Sequence, residues 1–157
     1  MNKTYFSTSS NFSVRVGDES IALRKEVIDL IAGEQVRQGG KFVPEGSDYL
    51  SKLANKAEAL CHEMAGQCVG FVFFYCNDPT KSASYISLIM VDPGFRKLGI
   101  AAALMRYVLT LTAQRGFQVC RLEVRKENAA AIKLYEAMGF GMLEDRGDKY
   151  LMEAQAS

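Results

Sequence analysis

The chain has 157 residues, of which 48% are hydrophobic and 24% charged, and its formal net charge is +1. This length predicts a single domain over residues 1–157, with one core large enough to fold without a metal or a disulfide. The near-neutral charge argues against nucleic acid as a main partner. The polar N-terminus and the absence of about 18 consecutive apolar residues argue against a membrane span, so a cytoplasmic protein is expected.

Periodicity predicts a strand and two helices in the first third of the chain. Residues 11–16 alternate apolar and polar side chains, which is typical of a half-buried strand. A helical repeat of apolar residues then begins after Asp18 or Ser20 as the cap, and it ends at the two glycines 39–40. Residues 47–48, Ser-Asp, are predicted to cap a second, short helix.

The middle of the chain predicts three strands followed by a helix. Ala59–Met64 and Cys68–Cys76 are β-rich runs on either side of a short turn and are expected to form a hairpin. A turn-forming cluster at residues 77–82 leads into an apolar strand over Tyr85–Val91. A sequence with helical spacing begins near Gly99.

The C-terminal part predicts a strand, a helix and a closing hairpin. The strand covers Val119–Arg125, and Asn128 offers an N-cap to the Ala-rich helix Ala129–Met138. Residues 140–143 and 149–152 form the hairpin. The resulting order, β-α-α-β-β-β-α-β-α-β-β, predicts an α/β (α+β) fold in which helices cover both faces of a mixed sheet.

The four cysteines and the single histidine do not form a recognisable metal-binding pattern. Cys61, Cys68, Cys76 and Cys120 lack C-x-x-C spacing, and His62 has no partner at metal-ligand spacing. We therefore expect buried, reduced thiols in strands and no metal site. A hydrolase built around His62 is also disfavoured, because no G-x-S-x-G motif accompanies it.

The start of the helix near Gly99 has the features of a phosphate-binding site. Its small residues would let a ligand approach unpaired backbone N–H groups, which together with the helix dipole bind anions. Arg96 and Lys97 add positive charge. The backbone groups concerned belong to Leu98, Gly99, Ile100, Ala101 and Ala102.

Two other phosphate-binding loops do not fit these residues. A P-loop needs Lys and Ser/Thr where Ile100 and Ala101 stand, and the three-glycine pattern of a dinucleotide-binding fingerprint is missing. The structural alternative is a helix start whose small residues serve only close packing.

A candidate acid/base pair lies further along the chain. Glu123 on a strand and Tyr135 on the following helix are expected at the same end of the sheet. Acyl transfer from a thioester to an amine needs a base for the ammonium and an acid for the departing thiolate. The structural alternatives are a salt-bridged strand residue for Glu123 and a core aromatic for Tyr135. Glu63, Tyr85 and Ser87 are further polar strand residues, with Glu63 as the reserve base.

The motif Arg-x-x-Gly-x-Ala at Arg96, Gly99 and Ala101 resembles the acyl-CoA pyrophosphate loop of the GCN5-related N-acetyltransferase (GNAT) superfamily. The resemblance implies a mixed, mostly antiparallel sheet and acetyl-CoA as the donor. It also implies that the preceding strand hydrogen-bonds the pantetheine arm through its backbone. By position, the strand residues implicated are Ile89, Met90 and Val91.

A second, independent segment resembles the ribosomal-protein alanine N-acetyltransferases of the same superfamily. The matching residues are Leu122-Glu123-Val124-Arg125, Asn128, Ala131, Leu134-Tyr135-Glu136 and Gly139-Phe140. This resemblance implies that Glu123 is the general base, that Tyr135 is the general acid and that Asn128 contacts acetyl-CoA. The segment between Ser20 and Lys56 shows no such match. In the superfamily that region lines the acceptor site, so the acceptor stays open.

The residues and the resemblance together predict an acetyl-CoA-dependent N-acetyltransferase without a metal, in which a bound amine attacks the thioester directly. The acceptor is a peptide N-terminal amine or a small-molecule amine such as an amino sugar, polyamine or antibiotic. The alternative is a non-catalytic acyl-CoA-binding regulatory module, which the presence of both Glu123 and Tyr135 disfavours. A homodimer is an expectation by analogy only, and a longer acyl group in place of acetyl is left open.

Overall fold

The computed structural model describes residues 3–6, 12–16, 21–22, 24–44 and 48–157. Its strands are β1 Lys3–Phe6, β2 Phe12–Val16, β3 Glu58–Met64, β4 Gln67–Tyr75, β5 Ala83–Val91, β6 Val119–Arg125, β7 Gly141–Asp145 and β8 Lys149–Gln155. Its helices are α1 Lys25–Arg37, α2 Asp48–Lys56, α3 Ile100–Gln114 and α4 Ala129–Ala137, and a short 3-10 helix, Pro93–Phe95, precedes α3. Among the described helices, none is long and apolar enough to cross a bilayer.

Most predicted elements agree with these bounds to within a few residues, and β6 agrees at both ends. β1 was not predicted. It is a four-residue strand that pairs antiparallel with β2, from Lys3↔Val16 to Phe6↔Ser13. Its local sequence has no strand pattern that would have predicted it. The predicted caps Asp18 and Ser20, like Ser47, lie outside the described residues.

The chain forms two compact units, the first from residues 1–73 and 89–101 and the second from residues 74–88 and 102–157. The strand order is β1-β2-β3-β4-β5 in the first unit and β5-β6-β8-β7 in the second. β5 and β6 are parallel, whereas β1/β2, β2/β3, β6/β8 and β7/β8 are antiparallel. The predicted mixed, mostly antiparallel sheet is therefore confirmed. The single domain over residues 1–157 stays a prediction.

In the first unit, a glycine lets the start of α3 approach strand β4 closely. A Cβ atom added at Gly70 would lie only 2.8 Å from Cγ2 of Ile100, the first residue of α3. The N–H of Asp92 donates to the carbonyl oxygen of Val69, the residue before Gly70, at 2.8 Å. The packing and the hydrogen bond together fix the segment between β5 and α3 against β4.

In the second unit, α3 is fixed to β5 by a buried polar contact. The hydroxyl groups of Ser84 and Thr112 lie 2.8 Å apart, and Thr112 donates to the carbonyl oxygen of Val108 at 2.7 Å. All three residues are buried, so the hydroxyl groups satisfy each other where water does not reach. Leu104 and Met105 on α3 are also fully buried.

The prediction of four reduced thiols is wrong for one pair. Cys61 and Cys68 are joined by a disulfide, with their Cα atoms 5.9 Å apart. They lie on β3 and β4, which are separated only by the turn at Ala65-Gly66, so side chains seven positions apart meet across the hairpin. Cys76 and Cys120 are buried thiols outside this disulfide, as predicted, and burial raises the pKa of Cys120 to about 11.

We expect Gly70→Ala to destabilise the protein, because the new Cβ would overlap the rigid, β-branched side chain of Ile100. Overpacking of this kind typically costs about 1–3 kcal/mol, which urea unfolding would detect as a lower midpoint. Gly141→Ala is the matched control, since a Cβ there meets nothing within 4 Å. Equal midpoints for Gly70→Ala and the unsubstituted chain would contradict the close approach of β4 and α3.

Candidate active site

The loop between β5 and α3 has the backbone shape of an exposed anion-binding helix start. The side chain of Asp92 accepts a hydrogen bond from the N–H of Gly94 at 2.9 Å, which closes the 3-10 turn. Lys97 and Gly99 then adopt left-handed backbone, with φ of 65° and 79°. The first N–H groups of α3 have no partner within the helix. The loop can therefore offer several N–H groups to one anion.

The predicted phosphate-binding residues are contiguous at this helix start. Arg96, Lys97, Leu98 and Gly99 are exposed, and the space beside Gly99 is open, since a Cβ there would meet nothing within 4 Å. Ile100 is different, because its side chain is buried against Gly70. Any contribution of Ile100 to ligand binding must therefore come from its backbone. Ala101 and Ala102 are half-buried and have only methyl side chains, so their hydrogen bonds to a ligand would also come from the backbone.

β5 extends beyond its parallel ladder with β6. The ladder runs from Ala83↔Val119 to Ile86↔Leu122, whereas β5 itself continues to Val91. In the described part of the chain, no further rung joins the end of β5 to β6. The predicted pantetheine-binding residues Ile89, Met90 and Val91 lie in this extension. Their backbone groups are thus suited to an extended ligand in the manner of an added strand.

Arg96 is held by two contacts within the first unit. Its Nε donates to the carbonyl oxygen of Val91 at 3.2 Å, and its Nη2 lies 3.1 Å from Oε1 of Glu34 on α1. Sequence reasoning did not identify Glu34. The available signal was an acid in the last turn of a helix, where the dipole disfavours negative charge.

In the second unit, Glu123 lies between a tyrosine and an arginine. The hydroxyl of Tyr85 donates to Oε1 of Glu123 at 3.2 Å, and Nη1 of Arg146 lies 3.2 Å from Oε2. Tyr85 pairs with Arg121 across the β5–β6 ladder, so Glu123 is its diagonal neighbour on the same face. Tyr85 was a sequence candidate. Arg146 was not, because it lies in the β7–β8 turn, where no periodicity points to a site.

Tyr135 lies on α4 with its ring packed against Phe140, the two ring centroids being 6.1 Å apart. The residue is buried, and burial raises the pKa of its phenol to about 12. Its hydroxyl makes no hydrogen bond to another described residue. Tyr135 is therefore a core aromatic by its ring, while its hydroxyl carries a proton at neutral pH, as a general acid requires.

Two other candidates have clear structural roles. Oδ1 of Asn128 accepts a hydrogen bond from the N–H of Ala131 at 3.2 Å and caps α4 as predicted. Its contact with acetyl-CoA stays a prediction. Glu63, the reserve base, is 2.7 Å from Nη1 of Arg24, whose Nη2 donates to the carbonyl oxygen of Gly66. This ion pair ties the start of α1 to the β3–β4 turn.

The described residues contain no group of three or more His, Cys, Asp or Glu side chains that could hold a metal ion. Each of the two units carries part of the predicted site. The first carries the helix start with Arg96, and the second carries Glu123, with its two partners, and Tyr135. No hydrogen bond or ion pair joins Glu123 to Tyr135 in the part of the chain that the structure describes.

Comparisons with known proteins identify relatives in sequence and in structure. A sequence model of the Acetyltransferase (GNAT) family matches residues 29–140. The ribosomal protein bS18-alanine N-acetyltransferase of Escherichia coli strain K12 is 40% identical over 62 residues, which are 40% of this chain and 42% of that protein. The matched segment thus spans less than half the length of this curated relative.

Solved structures establish the fold over nearly the whole chain. The PaiA N-acetyltransferase of Thermoplasma acidophilum, in complex with coenzyme A, matches with a TM-score of 0.72 and 15% identity, covering 92% of this chain and 98% of that one. The ribosomal-protein-S18-alanine N-acetyltransferase of Escherichia coli matches with a TM-score of 0.65 and 22% identity, covering 100% and 95%.

Because the phenol of Tyr135 is buried, the free energy of unfolding should fall as the pH rises into the alkaline range. Its pKa is about 12 in the folded chain, against about 10 when unfolded, so the folded state keeps a proton that the unfolded state loses. This stabilisation is complete below pH 10 and is lost as the pH rises to 12.

Relative to Tyr135→Phe, we expect the unsubstituted chain to lose up to about 1.4 kcal/mol of unfolding free energy per pH unit above about pH 10. Urea unfolding at a series of pH values between about 8 and 11 measures this difference. A difference that does not change with pH would show that the phenol is not buried.

Proposed function

The chain belongs to the Acetyltransferase (GNAT) family, whose model matches residues 29–140, and on this premise we propose that it is an acetyl-CoA-dependent N-acetyltransferase acting on a primary amine. The observation that carries the proposal is the exposed start of α3. There Gly99, with φ of 79° and open space beside it, lets a ligand reach the first N–H groups of a helix. The residues present fit a diphosphate-containing donor at this point.

In the proposed donor site, pyrophosphate oxygens accept hydrogen bonds from the N–H groups of Leu98 to Ala102. Arg96 and Lys97 offset the negative charge. Ile89, Met90 and Val91 bind the pantetheine arm through backbone atoms. Asn128 contacts the donor through its amide nitrogen, while its oxygen caps α4.

In the proposed reaction, the carboxylate of Glu123 accepts a proton from the acceptor ammonium, directly or through water. The neutral amine attacks the thioester carbonyl, so that a C–N bond forms and the C–S bond breaks, and the attacking nitrogen and Glu123 then each release one proton to solvent. The hydroxyl of Tyr135 gives its proton to the departing thiolate, and solvent restores that proton. Burial raises the pKa of Tyr135 to about 12, so the phenol is protonated at neutral pH and has a proton to give.

The two partners of Glu123 bear on its role as the base. Tyr85 donates to one carboxylate oxygen and Arg146 to the other, both at 3.2 Å. A hydrogen bond from Tyr85 fixes the orientation of the carboxylate within its partly buried strand face. Arg146 is exposed and also lies 3.4 Å from Glu144, so it has an alternative partner when an acceptor ammonium approaches Glu123.

For the acceptor we propose a peptide N-terminal amine as the first class to test. The support is the 40% identity with an enzyme named for the N-acetylation of a ribosomal-protein alanine. Small-molecule amines are the second class. A cytoplasmic location and a homodimer stay predictions.

We expect acetyl-CoA, but not ATP, to stabilise the purified chain. A ligand at about 100 times its Kd adds about 2.7 kcal/mol to the free energy of unfolding, which raises Tm by a few degrees for a domain of this size. Thermal unfolding with each ligand measures the shift. The absence of any shift with saturating acetyl-CoA would contradict donor binding, whereas a shift without turnover on any amine would favour the non-catalytic acyl-CoA-binding module.

We expect Glu123→Gln and Tyr135→Phe each to lower kcat by about 100-fold or more while leaving the Kd of acetyl-CoA nearly unchanged, because proton transfer is lost and donor contacts are kept. Thiol release under saturating donor measures kcat, and calorimetry measures Kd. Glu153→Gln is a matched control, since Glu153 is another partly buried strand carboxylate, paired with Arg121 at 2.8 Å.

Tyr150→Phe is the corresponding control for Tyr135, because it removes a hydroxyl from a partly buried tyrosine on β8. Full activity in Glu123→Gln would reassign the base. Equal losses of kcat and donor affinity in Tyr135→Phe would assign Tyr135 to binding or packing instead of acid catalysis.

A further inference from the structure

The carboxylate of Glu34 gathers hydrogen bonds from three side chains in the first unit. Its Oε1 accepts from Nε of Arg37 at 2.9 Å and from Nη2 of Arg96 at 3.1 Å, and its Oε2 accepts from Nε2 of Gln38 at 2.8 Å. Only 12% of the Glu34 side chain is exposed. Arg96 is 62 positions away in sequence, so this is a contact between α1 and the start of α3.

An acid at this point of α1 is unfavourable by local rules. Glu34 lies in the last turn of the helix, where the dipole presents negative charge. Burial would by itself raise the pKa of Glu34, but the hydrogen bonds from Gln38, Arg37 and Arg96 outweigh it and lower the pKa. The carboxylate is thus ionised, and its surroundings are built to hold it so.

The end of α1 is fixed in place by the residue next to Glu34. The side-chain oxygen of Gln35 accepts from the N–H groups of Phe42 and Val43, both at 2.9 Å. Its side-chain nitrogen donates to the carbonyl oxygens of Gly40 and Val43, both at 3.0 Å. One side chain therefore closes the loop after α1 onto the helix, which gives Glu34 a defined position.

Arg96 is oriented from two sides. Its Nε is directed to the carbonyl oxygen of Val91 at the end of β5, and its Nη2 to Glu34. Among the described residues, nothing accepts a hydrogen bond from Nη1 of Arg96. The group formed by Glu34, Arg37 and Arg96 contains one carboxylate and two guanidinium groups. Its net charge is therefore positive, so it still attracts an anion.

We propose that Glu34 is a positioning residue for the acyl-CoA donor. It holds the guanidinium of Arg96 beside the start of α3, so that the remaining N–H donors of Arg96 meet the diphosphate in a fixed orientation. The inference rests on the proposed function, since it assumes that this helix start binds the donor. Its physical basis is preorganisation, because a long arginine side chain that is already ordered loses less freedom when a ligand binds.

The test is a double-mutant cycle with Glu34→Ala, Arg96→Ala and the double variant, read out as the Kd of acetyl-CoA and as KM and kcat. Immobilising one flexible side chain corresponds to about a two- to tenfold change in affinity. We expect Glu34→Ala to raise Kd and KM by this factor with kcat unchanged. In the Arg96→Ala background the same substitution should change Kd less than about twofold.

Asp29→Ala is the matched control. Asp29 is another acid of α1, paired with Lys25 at 3.5 Å and well exposed, so its removal changes the net charge equally but does not touch Arg96. We expect this variant to leave Kd unchanged or slightly lower. Should Glu34→Ala fail to fold, Glu34→Leu, which keeps much of the side-chain volume but has no oxygen to accept from Arg96, carries the same cycle.

Three results would overturn the positioning role. They are an unchanged or tighter Kd in Glu34→Ala, an equal weakening in the Arg96→Ala background, and a loss confined to kcat. The failure of the proposed function is distinguishable from these. If Arg96→Ala alone leaves acetyl-CoA binding intact, the donor site itself is misplaced, whereas weak binding in Arg96→Ala with normal binding in Glu34→Ala rejects only the role of Glu34.

Discussion

The proposed donor site depends on the first N–H groups of α3, which have no partner within the helix. A helix cannot satisfy its own first donors, so an exposed helix start must bind water or an anion. Gly99 keeps that start open, and Gly70 allows Ile100 to pack closely against β4. The hydrogen bond from Asp92 to Val69 fixes the same segment from the strand side. These N–H groups are therefore held in place by β4 and β5, although the segment that carries them is exposed.

Each unit pairs a carboxylate with a guanidinium at its candidate site, and the two pairs are built differently. Glu34 is nearly buried and is held by three side chains, so Arg96 is kept at a defined position. Glu123 is more exposed, and its guanidinium partner Arg146 comes from a turn and also contacts Glu144. The first pair is suited to hold a ligand-binding cation still. The second leaves its carboxylate more exposed, which suits the proposed role of Glu123 as the base.

Much of the fold could be predicted from local pattern. The bounds of β6 and the Asn128 cap of α4 followed from period-two alternation and capping chemistry, which depend only on neighbouring residues. β1 could not be predicted, because a four-residue strand is defined by its pairing with β2 and not by its own composition. The disulfide of Cys61 and Cys68 was missed for a related reason, since only the hairpin pairing brings the two sulfur atoms together.

The sequence by itself determined the kinds of group available to the chemistry. An open helix start after a strand, an acid on a strand and a tyrosine on the next helix are local features, and motif resemblance connected them to one family. Only the tertiary structure decided what holds those groups. Glu34 meets Arg96 across 62 positions, and Arg146 meets Glu123 across 23. Periodicity carries no information about such contacts, because they depend on how helices, strands and turns pack once the chain has folded.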